Sequence, residues 1–115
     1  MTTKTAEAID HPARDEIELG AVLHALSDPV RLKIVAALAS RPDACAMGSI
    51  DVPVTKSTCT HHFRVLREAG IVWQRPEGTS RMNTLRREDL DARFPGLLDT
   101  ILSAAPSEPA AQSAG

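Results

Sequence analysis

The chain has 115 residues, of which 43% are hydrophobic and 24% charged, and its net charge is −2, so its length predicts one compact domain rather than two. No stretch approaches the roughly 20 apolar residues of a membrane span, and the N-terminus lacks the apolar run of a secretory signal, so we expect a cytoplasmic protein. Its two cysteines are too few for a disulfide framework and lack the paired spacing of a zinc ribbon or finger.

The beginning of the chain predicts an arm followed by an amphipathic helix. Residues 1–14 are polar or small and include a His-Pro pair, so we expect them to lack fixed structure. Apolar side chains then recur at helical spacing, at Leu19, Val22, Leu23 and Leu26. This spacing predicts a helix over residues 15–26 with acidic side chains in its first turn.

A second helix is predicted to begin at Asp28 and Pro29 and to run to about Ala39. Aspartate can cap free backbone N–H groups, and proline is tolerated in the first helical turn. Apolar residues mark one side of this helix, and we expect Arg31 and Lys33 to reach solvent.

A longer helix over residues 55–69, capped at its start by Thr55 or Ser57, is predicted to have two unlike faces. A short helix at residues 46–50 and a turn at Pro53 precede it, and Gly70 ends it because glycine readily adopts left-handed geometry. Its apolar side carries Cys59, Phe63 and Leu66. Its opposite side carries Ser57, Thr60, His61, Arg64 and Glu68. Such polarity suits a helix that lies on a charged surface.

A β-hairpin is predicted after this helix. Residues 71–75 are β-branched and aromatic, residues 76–79 are turn-like, and residues 80–85 can return as an antiparallel strand. The hairpin is the only strand pair that the sequence predicts.

The C-terminal part predicts helical structure and then a tail. Apolar positions with helical spacing run from Leu90 to Leu102, with Pro95-Gly96 as a kink or as a junction between two short helices. Residues 103–115 are almost entirely small or polar, so we expect them to lack fixed structure.

These elements, in this order, predict a winged helix-turn-helix fold, mainly α-helical with a small β-hairpin, over residues 15–102. Aromatic bulk comes only from Phe63, Trp73 and Phe94. A chain of this size buries a limited core, and its C-terminal apolar positions need a partner surface, so we expect a homodimer.

Basic residues are concentrated where the polar-faced helix and the hairpin lie. Residues 54–87 carry seven basic and two acidic side chains, whereas the rest of the chain carries six basic and thirteen acidic ones. This division indicates a positive face for nucleic acid on an acidic body, although scattered arginines on a solvated helix would give the same count.

The polar face of the helix at residues 55–69 supplies the side chains that recognition of double-stranded DNA needs. We expect base edges to be met by Ser57, Thr60, His61 and Arg64. We expect phosphates at the start of the helix to be bound by Lys56 and Thr58. The hairpin would reach the minor groove or its phosphates with Arg75, Thr79 and Arg81. Arg64 is the best candidate for a guanine contact.

Two segments resemble a known family, the ArsR-type (arsenic-repressor-like) regulators. They are LSDPVRLKIVAALA and TKSTCTHHFRVLREAGIV, followed by a hairpin with Gly78. The resemblance covers about residues 17–102. It implies a dimeric repressor whose first and last helices pair the subunits and whose effector lowers operator affinity when it binds.

No metal or cofactor site is predicted, and the effector stays unidentified. Some ArsR-type relatives bind metal through two thiolates in the third helix, where this chain has Cys45-Ala46-Met47, and others use histidines on the last helix, where this chain has only acids. Cys59 lies on the apolar stripe, so we expect a buried structural thiol, and His62 is expected to be packed and hydrogen-bonded. Cys45, near a predicted helix start, is the better redox candidate.

Other functions fit the pattern less fully. We do not expect an enzyme, because Cys59-x-x-His62 offers only two members of a catalytic set and no phosphate-binding glycine loop accompanies it. A winged-helix interaction module without an operator would use its apolar end helices to join a larger assembly. A DNA-binding regulator without a sensor would be controlled by its expression level or by a partner.

Overall fold

A computed structural model describes residues 9–41 and 43–105, which form five α-helices and a three-stranded sheet. The elements are α1 (Leu19–Leu26), α2 (Pro29–Ala39), β1 (Cys45–Ala46), α3 (Lys56–Glu68), β2 (Val72–Glu77), β3 (Ser80–Leu85), α4 (Arg87–Arg93) and α5 (Leu97–Ala104). Short 3-10 turns at Arg14–Glu16 and Met47–Ser49 precede α1 and α3. This order confirms the predicted winged helix-turn-helix fold, with α3 as the recognition helix and the β2–β3 hairpin as the wing.

The helices α2 and α3 begin at caps that the sequence predicts. Asp28 Oδ1 accepts hydrogen bonds from the backbone N–H groups of Val30 at 2.8 Å and Arg31 at 3.1 Å. Thr55 Oγ1 accepts from the backbone N–H of Thr58 at 3.2 Å. Each cap satisfies N–H groups that the first turn leaves free, and its loss typically costs about 1 kcal/mol.

The sheet has the strand order β1-β3-β2 with antiparallel pairing throughout. The predicted hairpin is present and reverses at Gly78, whose φ is 62°. The short helix predicted at residues 46–50 is present only as the 3-10 turn at Met47–Ser49, and Ala46 belongs to the two-residue strand β1. Cys45 pairs with Asn83 of β3, and the side-chain Nδ2 of Asn83 donates to the Cys45 carbonyl at 3.1 Å.

The core lies between the helices and the inner face of the sheet. Its fully buried side chains include Ile34, Val35, Phe63, Leu66, Ile71 and Val72. The first helix begins later than predicted, at Leu19, because Ile17 is extended and turns into the core, where it is 1% exposed. A Cβ on Gly70, whose φ is 88°, would lie 2.5 Å from Ile17 Cγ1, so glycine alone fits between α3 and β2.

The two ends of the described chain differ in part from the predictions. The C-terminal helical segment divides into α4 and α5 at Gly96, whose φ is 82°, so the junction alternative is the observed one. Residues 9–14, part of the arm that was predicted to lack fixed structure, contact the sheet and α4. Residues 1–8 and 106–115, where the remaining disorder predictions fall, lie outside the described residues.

Candidate nucleic-acid interface

One side of α3 carries the residues that were predicted to meet DNA. All six of the predicted contact residues in α3 are exposed, namely Lys56, Ser57, Thr58, Thr60, His61 and Arg64. Its opposite side is buried through Cys59, His62, Phe63 and Leu66. The contacts of the buried side hold the helix against the core, so the polar side faces outward over its whole length.

The hydroxyl groups near the start of α3 are already hydrogen-bonded. Thr55 Oγ1 donates to Thr58 Oγ1 at 2.9 Å and lies 3.4 Å from Ser57 Oγ. Thr60 Oγ1 donates to the Lys56 carbonyl at 3.0 Å. The oxygens of Ser57 and Thr60 can still accept a hydrogen bond, for example from the amino group of adenine or cytosine.

Arg64 lies in the middle of the exposed side of α3 with a weak partner. Its Nε is 3.6 Å from Glu68 Oε2, and both side chains are 62% exposed. Such an exposed ion pair contributes about 1 kcal/mol or less. A guanine edge or a phosphate can therefore replace Glu68 at low cost, which suits the predicted role of Arg64.

The start of α3 and the tip of the wing face each other across a groove of about 460 Å³. Lys56 and Thr60 line it from α3, and Thr79 and Arg81 line it from the wing. Within residues 9–41 and 43–105, neither Lys56 nor Arg81 forms an ion pair. Both cations are therefore available to phosphate, and four of the nine predicted contact residues share one surface.

Arg75 is placed apart from the other predicted wing residues. It lies in β2 and does not line the groove. Its Nη2 is 3.0 Å from Glu77 Oε1, with the Arg75 side chain 59% exposed. Because this pair is exposed and weak, a phosphate can replace Glu77 as the partner of Arg75 at low cost.

Arg31 has a buried role that the sequence analysis missed. It was predicted to reach solvent, which is wrong, because it is 8% exposed. Its Nε donates to the Ala25 carbonyl at 2.7 Å and its Nη1 to His62 Nδ1 at 3.2 Å, so it ties α3 to the end of α1. Burial lowers the pKa of His62, the Asp28 carboxylate opposes this, and the Arg31 charge lowers the pKa further. His62 is thus the packed, hydrogen-bonded residue that was predicted.

Two further arginines of the basic segment turn inward. Arg67 Nη1 donates to Gln74 Oε1 at 3.0 Å. Arg86 is 3% exposed, its Nε is 2.8 Å from Asp89 Oδ2, and its guanidinium lies 3.7 Å from the centre of the Trp73 ring. Neither arginine is available to DNA. Fewer basic side chains of residues 54–87 therefore reach the surface than the sequence count indicates.

Both cysteines are buried and free. Cys59 is 8% exposed, and burial raises its pKa, which agrees with the predicted structural thiol. Cys45 lies in β1, directly before the 3-10 turn at Met47–Ser49, and its redox role stays a prediction. Within the described ranges, no three potential ligands gather as they would around a metal ion.

Comparisons with known proteins agree with this arrangement. A family model described as a helix-turn-helix domain matches residues 26–75. The uncharacterized HTH-type transcriptional regulator YceK of Bacillus subtilis is 30% identical over 82 residues, which are 70% of this chain and 82% of that protein. The HTH-type transcriptional regulator Rv2034 of Mycobacterium tuberculosis is 39% identical over 61 residues, 53% of this chain and 57% of that protein. The fold is similar to that of the transcriptional repressor BigR from Xylella fastidiosa, with a TM-score of 0.59 and 24% identity over 78% of this chain and 88% of that one.

Proposed function

Because this chain belongs to the helix-turn-helix transcriptional regulators, we propose that it binds a specific DNA operator as a homodimer and represses the adjacent genes. The groove between α3 and the wing is the observation that supports this best. It places small polar side chains and unpaired cations on both walls, as a helix in the major groove and a wing on the flanking backbone require.

In the proposed complex, α3 lies in the major groove. Base edges are met by Ser57, Thr60, His61 and Arg64. Phosphates are bound at the start of α3 by Lys56 and Thr58, where the helix dipole also favours an anion. The wing binds the minor groove or its phosphates through Arg75, Thr79 and Arg81. Base contacts discriminate between sequences and phosphate contacts do not, so Arg64 supplies specificity and Lys56 supplies affinity.

The homodimer is proposed from the apolar surface of the end helices. Leu19 and Leu23 of α1 are each 45% exposed and lie one turn apart. Leu97 and Ile101 of α5 are only partly buried. A second copy would cover this surface, and the ArsR-type resemblance implies the same pairing. The two recognition helices would then meet half-sites about 34 Å apart, one helical turn of DNA.

We place this repressor in the cytoplasm, released from its operator by an effector. BigR, which has a similar fold, is a transcriptional repressor. The resemblance to ArsR-type regulators implies that binding of an effector lowers operator affinity. No helix in the described part of the chain is long and apolar enough to cross a membrane. The effector is unidentified, and we assign no catalytic role to any residue.

Selection of duplexes from a random-sequence pool by the purified protein tests this proposal. The enriched duplex is then titrated by fluorescence anisotropy across a salt series, with competitor DNA to set the specificity scale. Arg64→Ala is expected to lose roughly 1–3 kcal/mol, about fivefold to 150-fold in affinity, because it removes a bidentate base contact.

Arg87→Ala is the control, since Arg87 is a partly exposed arginine that pairs with Asp91 and Asp99 outside the interface. It is expected to bind like the wild type. A pool with no enriched duplex would contradict the proposal and would favour an interaction module that joins an assembly through its end helices.

A further inference from the structure

Residues 9–14, which we call the N-terminal clamp, hold the base of the wing from outside. His11 Nε2 accepts the backbone N–H of Gln74 in β2 at 2.9 Å. The Pro12 carbonyl accepts from Arg86 Nη1, just after β3, at 2.8 Å. The clamp therefore contacts β2 and the residue that follows β3, on the side of the wing away from its tip.

Gln74 connects this clamp to the recognition helix. The residue is 4% exposed. Its Oε1 accepts from Arg67 Nη1 of α3 at 3.0 Å, and its Nε2 donates to Asn83 Oδ1 of β3 at 2.9 Å. With the bond to His11, this one residue joins the clamp, α3 and both strands of the wing.

The contact between His11 and Gln74 closes the edge of the sheet. β2 is an edge strand, and a backbone N–H at a sheet edge otherwise faces water or another chain. The His11 ring also packs edge-on against Trp73, with 4.9 Å between ring centres and 62° between ring planes. Only a neutral imidazole can accept the Gln74 N–H, so this contact exists in one protonation state of His11.

We propose that His11 is a positioning residue for the wing. Neutral His11 accepts the Gln74 N–H and so holds the base of β2 in place. The side chain of Gln74 in turn holds β2 against Arg67 of α3. The wing then holds Arg81 in the orientation in which it can bind DNA while α3 lies in the major groove. Protonation of His11 Nε2 places its new N–H opposite the N–H of Gln74. The hydrogen bond is then lost, the clamp opens and the wing is no longer held in this orientation. The inference rests on the proposed contact between the wing and DNA.

The groups around His11 favour its neutral form. Burial lowers the pKa of His11, and a hydrogen bond to the backbone of Ile9 opposes this shift. The charges of Arg86, after β3, and Arg67, on α3, lower the pKa further, whereas Asp10 raises it. The clamp is therefore closed at neutral pH and opens as the pH falls below the ordinary histidine value of 6.5.

Tryptophan fluorescence of the free protein tests the clamp without DNA. Trp73 is the one tryptophan of the chain, so its emission reports on the adjacent His11 ring. We expect the wild-type emission to change in one transition with a midpoint below 6.5. His11→Gln keeps an acceptor oxygen but cannot titrate in this range, and it should abolish the transition. His24→Gln, on the exposed side of α1, should leave it intact, and a transition that survives in His11→Gln would overturn the proposal.

A double-mutant cycle then tests whether the clamp acts through the wing. His11→Phe keeps a ring against Trp73 and removes the acceptor, and we expect it to lower affinity for the selected duplex about tenfold, within the usual coupling between neighbouring residues. In an Arg81→Ala background the same change should have no further effect, while His11→Gln should bind like the wild type. An equal loss in both backgrounds would mean that His11 acts through stability alone and would overturn the inference. A wild-type protein that bound no duplex would overturn the proposed function, and the fluorescence titration would still decide the clamp.

Discussion

The recognition helix and the wing line the same groove, but different interactions hold them in place. The inner side of α3 buries Phe63 and Leu66 completely, so apolar contact fixes the helix. The wing buries Gln74 and Asn83, which bond to each other at 2.9 Å. Apolar burial is non-directional, whereas a buried polar network is satisfied in one geometry only. The helix is thus held by packing. The orientation of the wing is set by hydrogen bonds, which a change in protonation can break.

Removal of the aromatic anchor of α3 should have the largest effect on stability. Phe63 is fully buried, and Phe63→Ala is expected to lower the free energy of unfolding by about 3–5 kcal/mol, through lost burial and a residual cavity. Denaturant unfolding followed by circular dichroism measures this change. Phe94→Ala, at a half-buried site directly after α4, is the control and should cost less. Equal losses in the two variants would contradict the view that α3 is held by its apolar side.

The matching change in the wing should cost less stability. Asn83→Leu deprives the Gln74 Nε2 group and the Cys45 carbonyl of their partner, and a buried group without a hydrogen bond costs about 1–3 kcal/mol. The same unfolding measurement applies. Thr84→Ala, the next residue in β3, should change stability little. If Asn83→Leu were as stable as the wild type, the polar network would not be what holds the wing.

Mild acid should lower the free energy of unfolding by less than either substitution, through protonation of His62 on α3. The pKa of His62 in the folded protein lies below its ordinary value of 6.5, so the unfolded chain binds more protons between the two values. The stability that neutral His62 supplies is complete above that ordinary value and is lost as the pH falls towards the folded pKa.

His62→Asn keeps an acceptor near the Nδ1 position and removes the titration. Its free energy of unfolding should therefore fall less than that of the wild type between neutral and mildly acidic pH. Unfolding curves at several pH values measure the slope, and part of it should remain because the pKa of His11 is lowered as well. An unchanged slope would show that the contact between Arg31 and His62 does not depend on protonation.

The features predicted correctly are those that a short stretch of sequence contains. The two sides of α3 follow from the helical period, the caps at Asp28 and Thr55 from their side chains, and the turn of the wing from Gly78. The features that were missed depend on partners far away in the chain. The inward turn of Arg31 needs His62, and neither sequence position alone shows the other.

The same limit applies to the sheet and the clamp. The strand at Cys45 exists because Asn83 pairs with it, and a two-residue strand has no periodicity to detect. Residues 9–14 have the composition of a free arm, yet His11 accepts a hydrogen bond from the backbone N–H of Gln74. Both depend on tertiary contacts, which composition and spacing do not contain.

The contact between Gly70 and Ile17 has a consequence for evolution. Two features disfavour any residue other than glycine at position 70. Its φ is 88°, and a Cβ there would lie only 2.5 Å from Ile17 Cγ1. A relative with a larger residue at position 70 must therefore carry a smaller one at position 17 and a different turn after α3. The two positions should change together across related sequences, and an alignment that sets bulky residues at both is out of register.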